Sequence, residues 1–147
     1  MRKIDLIVIH CSATREDIPL SPLELDRMHR QRGFNGCGYH YYVRRDGQIC
    51  SMRPVERIGA HAKGFNEHSI GICYEGGLDR KGRPADTRTE RQRYSLRALV
   101  KVLRKDYPEV KKVCGHRDLS PDLNGNGTIE PEEWLKQCPC FDVATRL

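Results

Sequence analysis

Lys3-Ile4-Asp5-Leu6-Ile7-Val8-Ile9-His10 is the stretch on which the fold turns. Leu6 to Ile9 is an unbroken apolar run, rich in β-branched side chains and too short for a helix. It reads as a strand buried on both faces. Its last residue is an imidazole, a polar group delivered by a buried strand. The same stretch invites comparison with a secretory leader. Asp5 interrupts it, however, its apolar part ends at Ile9, and no small-residue cleavage site follows. The expectation is a strand at the centre of a sheet, in a protein that is cytoplasmic as synthesised.

Outward from this strand, local signals come in a regular order. Ser21-Pro22-Leu23-Glu24 combines a capping serine, a first-turn proline and the glutamate of a capping box, and Gly33 supplies a stop. The spacing predicts a helix reaching Gln31 or Arg32. Asp46-Gly47 lies between Tyr39–Arg45 and Gln48–Met52 and predicts a hairpin. Ser69 to Tyr74 reads as a strand closed by Gly76-Gly77. Thr89-Glu90-Arg91-Gln92 is a second capping box. It opens a long helix through Lys105 with Leu96, Leu99, Val100 and Leu103 on one face, and Pro108 follows its end. Val110 to Cys114 is a last short strand. Strands mixed with two main helices predict an α/β fold: a single domain over residues 1–147, with a central mixed sheet flanked by helices.

Composition narrows the class. With 37% hydrophobic and 31% charged residues the chain is neither disordered nor built for a bilayer. No apolar run approaches the roughly 20 residues of a membrane helix, so no membrane partner is expected. Seven cysteines is an odd number in a chain of 147 residues, which favours reduced thiols, one or two of them metal ligands, over a disulfide framework. The net charge of +6 suits an acidic partner. Its basic residues are scattered and no nucleic-acid motif accompanies them, so nucleic acid is not expected as a partner.

Two histidines stand at strand ends, His10 after the first strand and His116 after the last, where side chains of α/β sheets converge on sites. A thiol follows at Cys138. Two imidazoles and a thiolate make a tetrahedral zinc set with a fourth position open for water. Taken singly, each histidine also reads as a hydrogen-bonded structural residue.

Five segments add weight: Ile7–Thr14; Gly38-Tyr39-His40 with Arg45-Asp46-Gly47; Gly59–Asn66; Ser69–Cys73; and Gly115-His116-Arg117-Asp118 with the tail Lys136-Gln137-Cys138-Pro139-Cys140-Phe141-Asp142. In this order they resemble the family of N-acetylmuramoyl-L-alanine amidases that includes phage lysozyme-type amidases and animal peptidoglycan recognition proteins. The resemblance implies Zn2+ at His10, His116 and Cys138, and catalytic assistance by Tyr39 and Lys136. It also implies His61 and Asn66 lining a glycopeptide groove. The substrate it implies is peptidoglycan or its muropeptides, cut between N-acetylmuramic acid and L-alanine. The alternative is a non-catalytic peptidoglycan-binding protein. Read without it, Tyr39 is a core aromatic, Lys136 a solvated lysine and Asn66 a turn residue. His29 and His68 match no motif, His40 follows the motif tyrosine, and all three are read as structural. His29 is expected on the exposed face of its helix and His40 on the sheet face opposite Tyr39. A monomer is expected, acting on the wall after release or export.

Two features depart from the family pattern. Cys140 adds a second thiol to the tail, either a buried small side chain or an alternate, oxidisable ligand. Residues 122–133, an insertion between His116 and Cys138, read as an EF-hand loop with Asp122, Asn124, Asn126, Thr128 and Glu133 as ligands of a structural Ca2+. A polar Gly/Asn turn leading into a helix start at Pro131 is the other reading.

Overall fold

The computed structural model describes residues 2–147. Its strands are β1 (Leu6–Cys11), β2 (Thr14–Arg15), β3 (Tyr41–Val43), β4 (Ile49–Ser51), β5 (Ser69–Tyr74), β6 (Gly77–Leu78) and β7 (Lys112–Gly115). Its α-helices are α1 (Pro22–Gln31), α2 (Glu90–Asp106) and α3 (Val143–Arg146). The main sheet runs β4-β3-β5-β1-β7. β1 lies parallel to both β5 and β7, β3 lies parallel to β5, and only the hairpin strand β4 runs antiparallel. The sheet is therefore mixed, as the strand and helix signals predict.

All six residues of β1 are buried, which is why their sequence is apolar without alternation. Ile7, Ile9 and Cys11 point into the larger core, built with Ile70, Ile72 and Tyr74 of β5 and with Leu96, Leu99, Val100 and Leu103 of α2. Leu6, Val8 and His10 alternate onto the other face, where Leu6 and Val8 pack with Cys114. α1 lies on the side of a smaller core of Leu20, Leu25, Tyr42 and Cys73. Helices thus flank the sheet.

Both long helices begin as the capping boxes specify. Ser21 Oγ accepts the Glu24 amide at 3.1 Å and Thr89 Oγ1 accepts the Gln92 amide at 3.1 Å. Each such cap is worth about 1 kcal/mol. Gln92 goes further: buried in the core, its carboxamide donates to the carbonyls of Val43 and Glu75, joining α2 to β3 and to the end of β5. An ion pair between half-buried Arg44 and buried Glu75, at 2.8 Å, closes the same corner, and Glu75 also accepts the Leu20 amide. Among the described residues no helix is long and apolar enough to cross a membrane.

Candidate metal centre and groove

His10 is the fifth residue of β1 and projects from the face opposite α2. β7 runs beside β1 and hands over to a 3-10 turn that starts at His116. The two imidazole rings lie 4.6 Å apart between centroids. Cys138 reaches the same point from the C-terminal tail. Its Sγ accepts the Cys11 backbone N–H at 3.2 Å. Donor atoms of His10, His116 and Cys138 all lie within 4.8 Å of one another. Among the described residues they are the group of three or more His, Cys, Asp or Glu side chains that meets this condition.

Three contacts hold the tail against the sheet. The Tyr74 hydroxyl donates to the Pro139 carbonyl at 2.6 Å, and the Arg117 amide donates to the Cys138 carbonyl at 2.9 Å. Gly115 removes a side chain that would stand 2.6 Å from Pro139. Beyond them Phe141 is buried with the Arg88 guanidinium 3.3 Å from its ring centre. Tyr74, Gly115, Arg117 and Arg88 were not singled out in the sequence. Gly115 and Arg117 sit in the Gly-His-Arg-Asp segment, where that signal was available.

Burial sets the protonation of the histidines. It holds His10 well below the ordinary imidazole value, reinforced by His61, His116 and Lys136. Burial takes His116 down to about 4, with Lys136 adding to the effect. Both imidazoles are therefore neutral at neutral pH and able to donate a lone pair. Two neutral imidazoles and a thiol fit zinc as a donor set.

The Tyr39 ring stacks at a tilt 4.9 Å from His10. Burial pushes its phenol well above the ordinary value, so it stays protonated and can donate. Lys136, exposed, lines the groove beside His116. That groove encloses about 500 Å³ and is bounded by Arg32, Phe34, Lys63, Phe65, Leu119 and Leu135, with His61 and Asn66 also in its wall. Asn66 Oδ1 accepts the amides of His61 and Ala62, both at 2.9 Å, so it shapes the loop that carries His61. Cys140 lies to the other side, its thiol 3.4 Å from the Gly77 carbonyl and away from the His/His/Cys group.

Two histidines differ from their expected placement. His29 is buried, not exposed: its Nδ1 accepts the Gly38 amide at 2.7 Å and its ring packs 5.2 Å from Tyr39. His40 does not turn to the far face. It precedes β3, its Nδ1 accepts the Gly71 amide, and its ring stands edge-on to His61 at 5.9 Å. His68 pairs with Asp5 at 2.6 Å.

The insertion gives calcium no support. Asp122 accepts the amides of Gly125 and Gly127, and Glu133 accepts those of Leu123, Asn124 and Glu130. The side-chain amides of Asn124 and Asn126 both donate to Glu130, and Asn126 Oδ1 accepts the Thr128 amide. Oxygens of Asp122, Asn124, Asn126 and Glu133 thus accept hydrogen bonds within the loop. Only a 3-10 turn, Pro131–Glu133, follows it where an EF-hand has a helix. The contacts are those of a polar Gly/Asn turn, although the helix start expected at Pro131 is only this 3-10 turn. The loop is tied back by Arg117 over the Trp134 ring at 3.8 Å.

An α/β sheet that gathers two neutral imidazoles and a thiol, with His116 opening onto a groove, has the form of an enzyme site; a closed structural metal knot would use a fourth protein ligand. The profile of the N-acetylmuramoyl-L-alanine amidases matches residues 1–133, and the chain belongs to that family of peptidoglycan amidases. It is 34% identical to the endolysin of Escherichia phage T7 over 95% of its own length and 82% of the phage protein. An uncharacterized protein of Haemophilus influenzae is 52% identical over 67% of this chain and 84% of its own. Among solved structures, the N-acetylmuramoyl-L-alanine amidase LysC from Clostridium intestinale superposes with a TM-score of 0.74 at 28% identity. That match covers 96% of this chain and 79% of LysC.

Proposed function

We propose that the chain hydrolyses the amide bond between the lactyl group of N-acetylmuramic acid and L-alanine of peptidoglycan, with Zn2+ held by His10, His116 and Cys138. The observation that carries this reading is the convergence of those donors within 4.8 Å beside a groove large enough for a glycopeptide. Zinc bound there supplies Lewis-acid activation of water and of the scissile carbonyl. The remaining roles fall to the chain. The Lys136 ammonium borders the groove next to His116 and offers positive charge where negative charge develops on the carbonyl oxygen. The protonated Tyr39 phenol donates a hydrogen bond that orients water or substrate. Arg32 and Lys63 give the groove a cationic rim, which favours anionic wall fragments. A protein that merely bound peptidoglycan would need none of the three donors.

The test is to digest purified muropeptides and identify the products by mass spectrometry. Free stem peptides beginning with L-alanine, beside intact glycan, are expected. Cleavage within the glycan or the peptide, or intact fragments after incubation with folded, zinc-loaded protein, contradicts the proposal; the last result favours binding alone.

A further inference from the structure

We infer that His61 is a positioning residue of the metal centre, which fixes His10 in the tautomer whose Nδ1 is bare. The inference rests on the zinc reading above and concerns how that site is held.

His10 Nε2 lies 2.9 Å from His61 Nδ1, and His61 Nε2 lies 3.2 Å from Ser69 Oγ. A neutral imidazole has one N–H and one lone pair. The chain His10–His61–Ser69 therefore has two consistent proton arrangements. In one, Ser69 donates to His61, and His61 donates to His10 Nε2. His10 then carries its proton on Nδ1 and has no nitrogen left for a metal. In the other, His10 Nε2–H donates to His61 Nδ1, and His61 Nε2–H donates to Ser69. His10 Nδ1 is then bare. Among the described residues no protein group hydrogen-bonds that nitrogen, and metal binding requires an unprotonated ligand. A metal on His10 thus selects the second arrangement, and His61 is the acceptor that stabilises it.

The surroundings are built to hold the His61 ring there. A Cβ on Gly71 would stand 2.6 Å from its Cδ2 and Cγ, and one on Gly59 would stand 2.8 Å from Cδ2. Two glycines therefore clear its space, while Asn66 fixes its backbone amide and the His40 ring stands against it. Because both His61 nitrogens are engaged, only its carbon edge is left to face the groove. A polar contact with glycopeptide, the role carried over from the family, would have to break one of these bonds.

The test compares wild type with His61→Phe, which keeps a ring but no acceptor, and His61→Asn, whose carboxamide oxygen can take the place of Nδ1. Zinc affinity is measured by competition with a chromophoric chelator, alongside zinc-free thermal unfolding and the KM for muropeptides at saturating zinc. We expect His61→Phe to weaken zinc 10–100-fold, His61→Asn to regain most of the loss, and KM to be unchanged. Should His61→Phe not fold, Ser69→Ala serves, with a smaller loss of zinc affinity in the same direction. Unaltered zinc affinity in these variants overturns the assignment, and a raised KM with unaltered affinity returns His61 to the substrate. A wild-type chain that does not bind zinc fails the zinc reading itself.

Discussion

Gly71→Ala adds one methyl group to β5, directly beneath the His61 ring. The backbone at Gly71 accepts alanine, because its φ lies outside the left-handed region; the cost comes only from the contact. The added Cβ would meet ring atoms at 2.6–2.8 Å. Ordinary carbon contacts are about 3.5–4.0 Å, so the ring must retreat by roughly 1 Å. A ring held to His10 at one nitrogen and to Ser69 at the other cannot retreat that far and keep both bonds. Overpacking of this kind costs about 1–3 kcal/mol. For a chain of this size each kcal/mol lowers Tm by about 2–4 °C. If His61 holds the His10 tautomer, zinc affinity should fall by about 10-fold or more, which is about 1.4 kcal/mol. Differential scanning fluorimetry with and without zinc reads both quantities: the zinc-free melt falls modestly and the stabilisation by zinc shrinks. A variant with an unchanged zinc shift and unchanged catalysis would refute the account of this face of the sheet.

Three further outcomes follow from the same contacts. Asn66→Ala leaves the amides of His61 and Ala62 without their acceptor. It should cost about 1–3 kcal/mol in urea unfolding and lower kcat more than it raises KM; a variant as stable as wild type contradicts the role given to these two bonds. Glu133→Ala removes the acceptor of three loop amides and should loosen the segment leading to Lys136 and Cys138. Hydrogen exchange should quicken across 122–136, and protection equal to wild type argues against this. Stability should also depend on pH. His10, His40, His61 and His116 are held below the ordinary imidazole value by burial, so the folded state refuses protons that the unfolded chain accepts near pH 6.5. Stability is full above that value. It declines as pH falls towards about 4, the value for His40 and His116, by up to about 1.4 kcal/mol per unit for each imidazole. Urea titrations of zinc-free protein at about pH 7.5, 6 and 5 measure the slope, and a flat profile contradicts it.

Local chemistry made much of the fold legible. The apolar run of β1, the two capping boxes and Asp46-Gly47 each specify an element from adjacent residues, and each element formed where those residues stand. His10, His116 and Cys138 were visible as donor types, but their meeting depends on β7 pairing with β1 and on the tail returning across Gly115. No spacing within the sequence encodes that return. His29 was misplaced because helical periodicity assigns faces without knowing that the Gly38 loop folds over α1. The His61–Ser69 relay was invisible for a similar reason. It joins a loop to a neighbouring strand through two glycines whose role is the absence of a side chain. The insertion shows the opposite limit: its residue types match a calcium loop, but they equally suit a turn whose own amides bond the carboxylate oxygens.

The most direct test is to strip the protein with a zinc-selective chelator, restore Zn2+ stepwise, and follow release of L-alanine-terminated peptides from muropeptides by wild type and Cys138→Ala. Activity that vanishes on stripping and returns with one equivalent of zinc in wild type, but not in Cys138→Ala, is the predicted result. Full activity in the stripped protein, or in Cys138→Ala, would contradict the assignment of the His10–His116–Cys138 centre to catalysis.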